Sequence, residues 1–183
     1  MKYYISDLHL FHENSIIFDN RPFNNSEDCA NKIIENWNSI ITKDDDIYIL
    51  GDFTWDNDKG LEVIKKLKGR KYLIKGNHDK VSPQLYQEFM WVKDYAEIKD
   101  ENRLLILSHY PIAHWKNADY GSYHLYGHIH MGRDYEPFNK YIKEMKKRDI
   151  PYNCFNVGCM LPYMDYTPRT LDYLIQKGIN KND

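Results

Sequence analysis

Five short clusters of polar residues each directly follow a brief apolar or β-branched run. They are Asp7-Leu8-His9, Gly51-Asp52, Gly76-Asn77-His78-Asp79, Ser108-His109-Tyr110-Pro111 and Gly127-His128-Ile129-His130. This pattern constrains the fold more than any other feature of the chain, because open α/β sheets gather their functional residues just beyond the carboxyl ends of the strands. Eight side chains of metal-ligand or acid-base type (Asp7, His9, Asp52, Asn77, His78, His109, His128 and His130) are thereby expected at one sheet edge, although they are spread from position 7 to position 130.

The strand and helix periods support that reading. Residues 2–5 predict a buried strand, too short and too β-rich for a helix, and a long loop through Arg21-Pro22-Phe23 follows. Ser26 is then a fitting N-cap for a helix on which Ala30, Ile33, Ile34, Trp37, Ile40 and Ile41 recur at helical spacing. Strands are expected at Ile47–Leu50 and Lys71–Ile74, with an amphipathic helix over 59–68 ended by Gly69. The resulting rhythm is that of βαβ units in an α/β fold. Beyond Asp79 it changes: a short helix from Pro83 to Phe89, a hairpin of Tyr95–Ile98 and Arg103–Leu107, a strand Tyr123–Tyr126, a helix over 136–147 and a strand Cys154–Val157. Thr167-Pro168 predicts the N-cap and first position of a last helix through Ile175. No repeat, linker or low-complexity tract divides the chain, so residues 1–183 are expected to form a single domain.

Composition excludes several classes of function. A chain of 183 residues is large enough to bury a core without disulfides. The formal net charge is −2, with lysines and arginines interspersed among the acids, so the basic footprint of a protein that binds long nucleic acid is missing. Cys29, Cys154 and Cys159 form no CxxC pair, and an odd number points to free thiols in a reducing compartment. The first strand begins at once, with no leader-like segment, and no apolar stretch is long enough to span a bilayer. A cytoplasmic protein with no membrane partner is expected.

Taken singly, each motif residue has an ordinary reading: an aspartate at a strand end caps a turn, a histidine sits on the surface or in the core, and Asn77 makes an Asx-turn. Five motifs in order, each at the end of an expected strand, argue for shared chemistry. Mixed carboxylate and imidazole ligands suit Mn, Fe, Zn, Ni or Co better than Ca or a largely hydrated Mg. Two such ions roughly 3.5–4 Å apart can share a hydroxide and clamp phosphoryl oxygens during in-line displacement. A ligand shared by both must be a carboxylate, since a neutral imidazole has one free lone pair, and Asp52 is the natural bridge. In extended segments, residues two apart face the same side, so the Asp7/His9 and His128/His130 pairs could each face the metals. Gly51, Gly76 and Gly127 stand where the backbone must turn sharply or approach another group closely.

The order DxH, GD, GNHD, H, GHxH resembles that of the calcineurin-like metallophosphoesterase superfamily, across residues 7–130 with no motif missing. His12 to Asn14, Arg21-Pro22-Phe23 and Trp37-Asn38 are further similar to its small bacterial and phage members. The resemblance implies an α/β fold of two stacked mixed β-sheets flanked by helices, a four-layer α/β/β/α sandwich with two divalent metal ions at one edge. It also implies that Asp7, His9, Asp52 and His130 hold one ion and Asp52, Asn77, His109 and His128 the other. His78 would contact the phosphoryl group and protonate the leaving oxygen, as suits a histidine titrating near neutrality. Asp79 would either orient His78 or cap the turn.

The implied activity is hydrolysis of a small phosphomonoester or phosphodiester, nucleotide-derived ones included, by a metal-bridging hydroxide with His78 as general acid. A catalytically silent metal-binding scaffold is the rival reading, and a nuclease a third. His12 lies close enough to Asp7 to reach the substrate, or is an exposed loop histidine, and His114 could line the pocket. Arg21 and Arg133 are candidates for a second phosphate contact, with a plain surface arginine as the alternative at each. His124, two residues before Tyr126 on an expected strand, fits core packing. Tyr110, Trp115, Tyr120 and Tyr123 could stack on a nucleobase or fill the core. The short segments between motifs leave no room for a cap domain, so an open metal edge is expected.

Overall fold

The computed structural model describes residues 1–148 and 151–179. Strands β1 (Lys2–Ile5), β2 (Asp46–Leu50), β3 (Arg70–Ile74) and β4 (Val92–Lys93) form one sheet in that order, parallel throughout. β5 (Tyr95–Asp100) and β6 (Arg103–Ser108) form an antiparallel hairpin, on which β7 (Tyr123–Tyr126) and β8 (Asn153–Asn156) add in parallel. The expected two-sheet α/β architecture is present, with one difference. Only the second sheet is mixed, because every connection in the first passes through a helix and so returns each strand in the same direction. These helices are α1 (Glu13–Phe18), α2 (Ser26–Ile40), α3 (Asn57–Lys66) and α4 (Pro83–Tyr86); α5 (Tyr135–Lys146) and α6 (Leu171–Ile179) follow later.

Alternation along β6 to β8 shows how the layers stack. Leu105, Leu107 and Leu125 join a buried cluster with Tyr4, Ile5, Ile49 and Leu73 of the first sheet, and with Ile33 and Trp37 of α2. The intervening Ile106, Tyr126 and Cys154 face the other way and pack with Trp115 and with Ile142 of α5. Period-2 patterning therefore assigns one face of the second sheet to the inter-sheet core and the other to α5.

The two sheets are joined at the end of β1. Ser6 N–H donates to Val157 O (2.9 Å) just beyond β8, and Cys159 N–H donates back to Ser6 O (2.9 Å). One residue on, Asp7 N–H donates to Gly51 O (3.0 Å) beyond β2, and His9 N–H to Asp52 O (2.9 Å). The loops after β1, β2 and β8 thus continue the backbone pairing past the strands.

Three local expectations change in the folded chain. The loop after β1 contains α1, too short for a periodic signal to reveal. Asn25, not Ser26, caps α2, its side chain accepting from Asp28 N–H at 2.8 Å. Thr167-Pro168 does not start α6, because Arg169 pairs antiparallel with Tyr4 and holds the segment extended. Thr170 Oγ1 instead accepts from Tyr173 N–H.

His124 is fully buried, as its strand position suggested. Its Nδ1 faces the Ile106 carbonyl (3.1 Å) and its Nε2 accepts from Ile112 N–H (3.0 Å), so the proton sits on Nδ1 and the ring is neutral. Burial pushes its pKa from 6.5 down to about 4. Its contribution to stability is complete above pH 6.5 and is lost as the pH falls towards 4, because the unfolded chain then binds a proton that the folded chain excludes. That loss amounts to about 3 kcal/mol. Denaturant unfolding of the chelator-treated protein should show a shallower acid limb for His124→Gln, by about 2–3 kcal/mol between pH 7 and 4.5. Parallel limbs would assign the linkage to other groups.

Candidate metal centre

The strand ends bring side chains from four of the five motifs into one buried cluster. Asp7, His9, Asp52 and His109 are all buried, and His130 is mostly so. His130 Nε2 lies 3.4 Å from Asp7 Oδ1 and 3.4 Å from His9 Nε2. Asp52 Oδ2 stands 3.5 Å from His9 Nε2 and also 3.5 Å from His109 Nε2, between the two halves of the cluster. Asn77, from the remaining motif, places its Oδ1 3.1 Å from His109 Nε2. The His128 ring packs edge-on to His109, 5.1 Å between centroids. Two atom groups have the proximity needed to hold a cation: Asp7, His9 and His130, and Asp7, Asp52 and His109.

Hydrogen bonds outside the cluster fix which ring nitrogens face inward. His109 Nδ1 lies 2.8 Å from Leu50 O, which can only accept, so Nδ1 carries the proton and Nε2 presents a lone pair to Asp52 and Asn77. His130 Nδ1 lies 2.7 Å from Asp19 Oδ1, which turns Nε2 towards Asp7 and His9 in the same way. Lone pairs and carboxylate oxygens aimed at one another repel unless a positive charge lies among them. Their spacing matches the roughly 3–3.5 Å between neighbouring ligand atoms around an ion bound at about 2.1 Å. The donor set therefore fits divalent metal. In the protein without metal a proton takes the same role: burial opposes charge on His130, but its hydrogen bonds to Asp19 and Asp7 prevail and push its pKa up to about 10. Burial likewise opposes ionisation of Asp7, yet His130 holds its pKa well below the usual carboxylate range.

The backbone adopts unusual conformations to achieve this. Asp7 (φ 55°), His9 (46°), Asp52 (54°) and His128 (67°) all lie in the left-handed region, which disfavours L side chains with a Cβ. The extended-segment argument for Asp7 and His9 is therefore replaced by two left-handed residues flanking Leu8, whose side chain is fully buried. Close approach explains two glycines: a Cβ on Gly51 (φ 92°) would overlap the His109 ring, and one on Gly76 would overlap the Asp52 carboxylate and backbone.

Asp79 resolves towards turn capping. Its carboxylate accepts from Asp52 N–H (2.7 Å), Phe53 N–H (2.8 Å) and Gly76 N–H (2.8 Å), tying the second motif to the third. Asp52 Oδ1 accepts from His78 N–H (2.9 Å), leaving Oδ2 for the cluster. The His78 ring is exposed, 5.6 Å from that of His9 and 5.2 Å from that of Trp55.

Of the four substrate-side candidates, only His12 lies at the cluster, its ring 5.6 Å from His9 and 6.5 Å from His78. The Arg21 side chain is turned inward. Its guanidinium donates to Asp19 Oδ2 (2.8 and 3.0 Å) and to the carbonyls of Leu8 (2.9 Å) and Asp7 (3.0 Å), so it braces the first motif and offers no face to substrate. His114 is exposed and, among the described residues, makes no hydrogen bond, ion pair or ring contact with the cluster, and Arg133 is an exposed residue whose Nε lies 3.6 Å from Asp134 Oδ2.

Asp19 was missed at the level of sequence. It ends α1 and links Arg21 to His130, and nothing in its local context marks it. Phe18 and Trp55, both half exposed at the cluster rim, were missed as well. Among the aromatics singled out, Tyr110 packs on His128 (4.5 Å), whereas Trp115 is core and donates to Ser122 Oγ. A separate cavity of about 470 Å³ lies behind the second sheet, lined by Tyr126, Phe155, Lys146 and neighbours, and contains no motif residue.

The chain is similar to several known proteins. Over 183 residues the chain is 31% identical to the uncharacterized protein MJ1445 of Methanocaldococcus jannaschii, with 96% of this chain and 92% of that one covered. It is 28% identical to the gene 66 protein of Mycobacterium phage L5 over 70% of its own length and 76% of the relative's. The crystal structure of AQ665 from Aquifex aeolicus, a protein of unknown function, superposes with a TM-score of 0.71 at 28% identity, covering 99% of this chain and 98% of that one. The calcineurin-like phosphoesterase family profile matches residues 3–153. A cluster of carboxylates and inward-facing imidazoles at the joined ends of two sheets is thus accompanied by a family match over most of the sequence, and the chain belongs to the calcineurin-like phosphoesterase family.

Proposed function

We propose that this protein is a metal-dependent phosphoesterase that hydrolyses a small phosphomonoester or phosphodiester. The observation that carries the reading is the inward-facing Nε2 atoms of His109 and His130 beside two buried carboxylates. Asp7, His9, Asp52 and His130 would hold one divalent cation, and Asp52, Asn77, His109 and His128 a second. Bound there, such cations would supply an activated water and Lewis acidity towards the phosphoryl oxygens.

The protein's own groups supply the rest. Asp52 is the shared ligand in this reading, since one oxygen stands equally far from His9 and His109 while the other is anchored by His78 N–H. His78 is the general acid: its ring is exposed at the rim, on a loop held by Asp79 and Asp52, where it can donate a proton to the departing oxygen. Asp19, buried against Arg21, orients His130 through Nδ1. A cytoplasmic location accords with three buried free thiols and, among the described residues, no helix long and apolar enough to cross a membrane.

The reading can be tested with Mn²⁺-supplemented assays of p-nitrophenyl phosphate and bis(p-nitrophenyl) phosphate, run beside metal analysis. His78→Ala should retain bound metal and lose about 10²–10⁴-fold in turnover; near-normal turnover would remove His78 from the acid role. Asp52→Ala should lose both ions together, and a variant with two tightly bound ions would end the shared-ligand assignment. Asp19→Asn keeps the shape of the buried contact while removing its charge. Chelator competition should show metal affinity reduced by about 10–100-fold, and an unchanged affinity would show that Asp19 does not tune His130.

A further inference from the structure

We propose that Trp55 is the specificity determinant of this site and that its open face stacks the base of a nucleoside phosphoester. The proposal rests on the phosphoesterase reading and names the leaving group it would favour. One face of the Trp55 indole is covered by the His12 imidazole, 3.9 Å between centroids and 5° from parallel. The residue is nevertheless 53% exposed, and the other ring beside it, His78, is tilted by 47° rather than stacked.

The backbone around Trp55 is held. Trp55 N–H donates to Leu10 O (3.0 Å), the preceding Thr54 pairs with Leu10, and the following Asp56 caps α3. The backbone is thus held and the parallel His12 ring supports the indole upon it, so ordering the ring on binding costs little. His12 is held in turn at a cost: its Nδ1 is buried with no hydrogen-bond partner among the described residues. A buried unsatisfied nitrogen calls for a reason, and serving as the backing plate of the indole supplies one.

Position selects the leaving group. Trp55 lies 5.2 Å from the His78 ring, so the group protonated by His78 departs past the indole. Of the other exposed rings at the rim, Phe18 packs near His9, His12 and His130 and Tyr110 packs on His128, and among the described residues neither makes a ring contact with His78. A nucleobase offers the flat π-face that an open indole face binds, without any need for a basic groove.

The test uses the Mn²⁺-loaded protein with adenosine 5′-phosphate and ribose 5-phosphate, each as the monoester and as its methyl diester. These compounds share an alkoxide leaving oxygen and differ in the base. The wild type should prefer the adenosine compound of the ester class it accepts by about tenfold or more in kcat/KM, and Trp55→Ala should bring that ratio close to one, mainly through KM. Trp55→Phe should restore much of the preference, and Tyr110→Ala should leave the ratio in place. Equal use of both compounds by the wild type, or a ratio unaltered in Trp55→Ala, would overturn stacking at Trp55 while leaving the phosphoesterase reading intact. Hydrolysis of none of the four by protein with verified metal content would overturn both.

Discussion

The backbone joint at Ser6 and Asp7 is the constraint on which the site depends. Ser6 exchanges hydrogen bonds with Val157 and Cys159 beyond the second sheet, and Asp7 N–H bonds to Gly51 beyond β2 in the first. A single strand end is thereby shared by both sheets. The Asp7 carboxylate, placed at the seam, accepts from His128 N–H at 3.1 Å and faces His130 Nε2. Without that joint the motifs after β1 and β2 and those after β6 and β7 would belong to separate surfaces.

Gathering buried carboxylates at a seam is electrostatically unfavourable, and the fold offsets it in two ways. Arg21 is buried against Asp19 and the carbonyls of Asp7 and Leu8, placing a permanent positive charge behind the first motif. Asp19 in turn holds His130, so an ordered chain runs from the guanidinium to the ligand cluster. The left-handed conformations of Asp7, His9, Asp52 and His128 add strain of about 1 kcal/mol or more each. The backbone pairing of residues 6–10 with both sheets sustains it. Left-handed residues occur in other loops too, Asn117 and Tyr166 among them, while the strands themselves stay regular.

Much of the fold was legible because the physics that sets it is local. β1, β2, β3 and β7 stand where apolar runs placed them, and the polar stretch Lys99 to Asn102 lies at the hairpin between β5 and β6. The errors have a common cause. α1 is too short to show a period, and Thr167-Pro168 carries a sound capping signal that pairing of Arg169 with Tyr4 overrides. The inward turn of Arg21 follows from a buried acid, Asp19, whose position depends on α1. Phe18 and Trp55 carry no motif, and only their exposure beside the cluster distinguishes them from core aromatics.

The sequence by itself determined that carboxylates and imidazoles would collect at strand ends, since strand periodicity and motif order are properties of neighbouring residues. It determined too that glycines must stand before Asp52, Asn77 and His128. The tertiary structure alone decided which nitrogen of each imidazole faces inward, because that choice belongs to Leu50 O and Asp19, 59 and 111 residues away from the rings they hold. It likewise decided that Asp79 caps rather than orients, and that Arg21 turns inward to brace the first motif. Such roles depend on the direction of side chains across a folded seam, and no local pattern of residues encodes that direction.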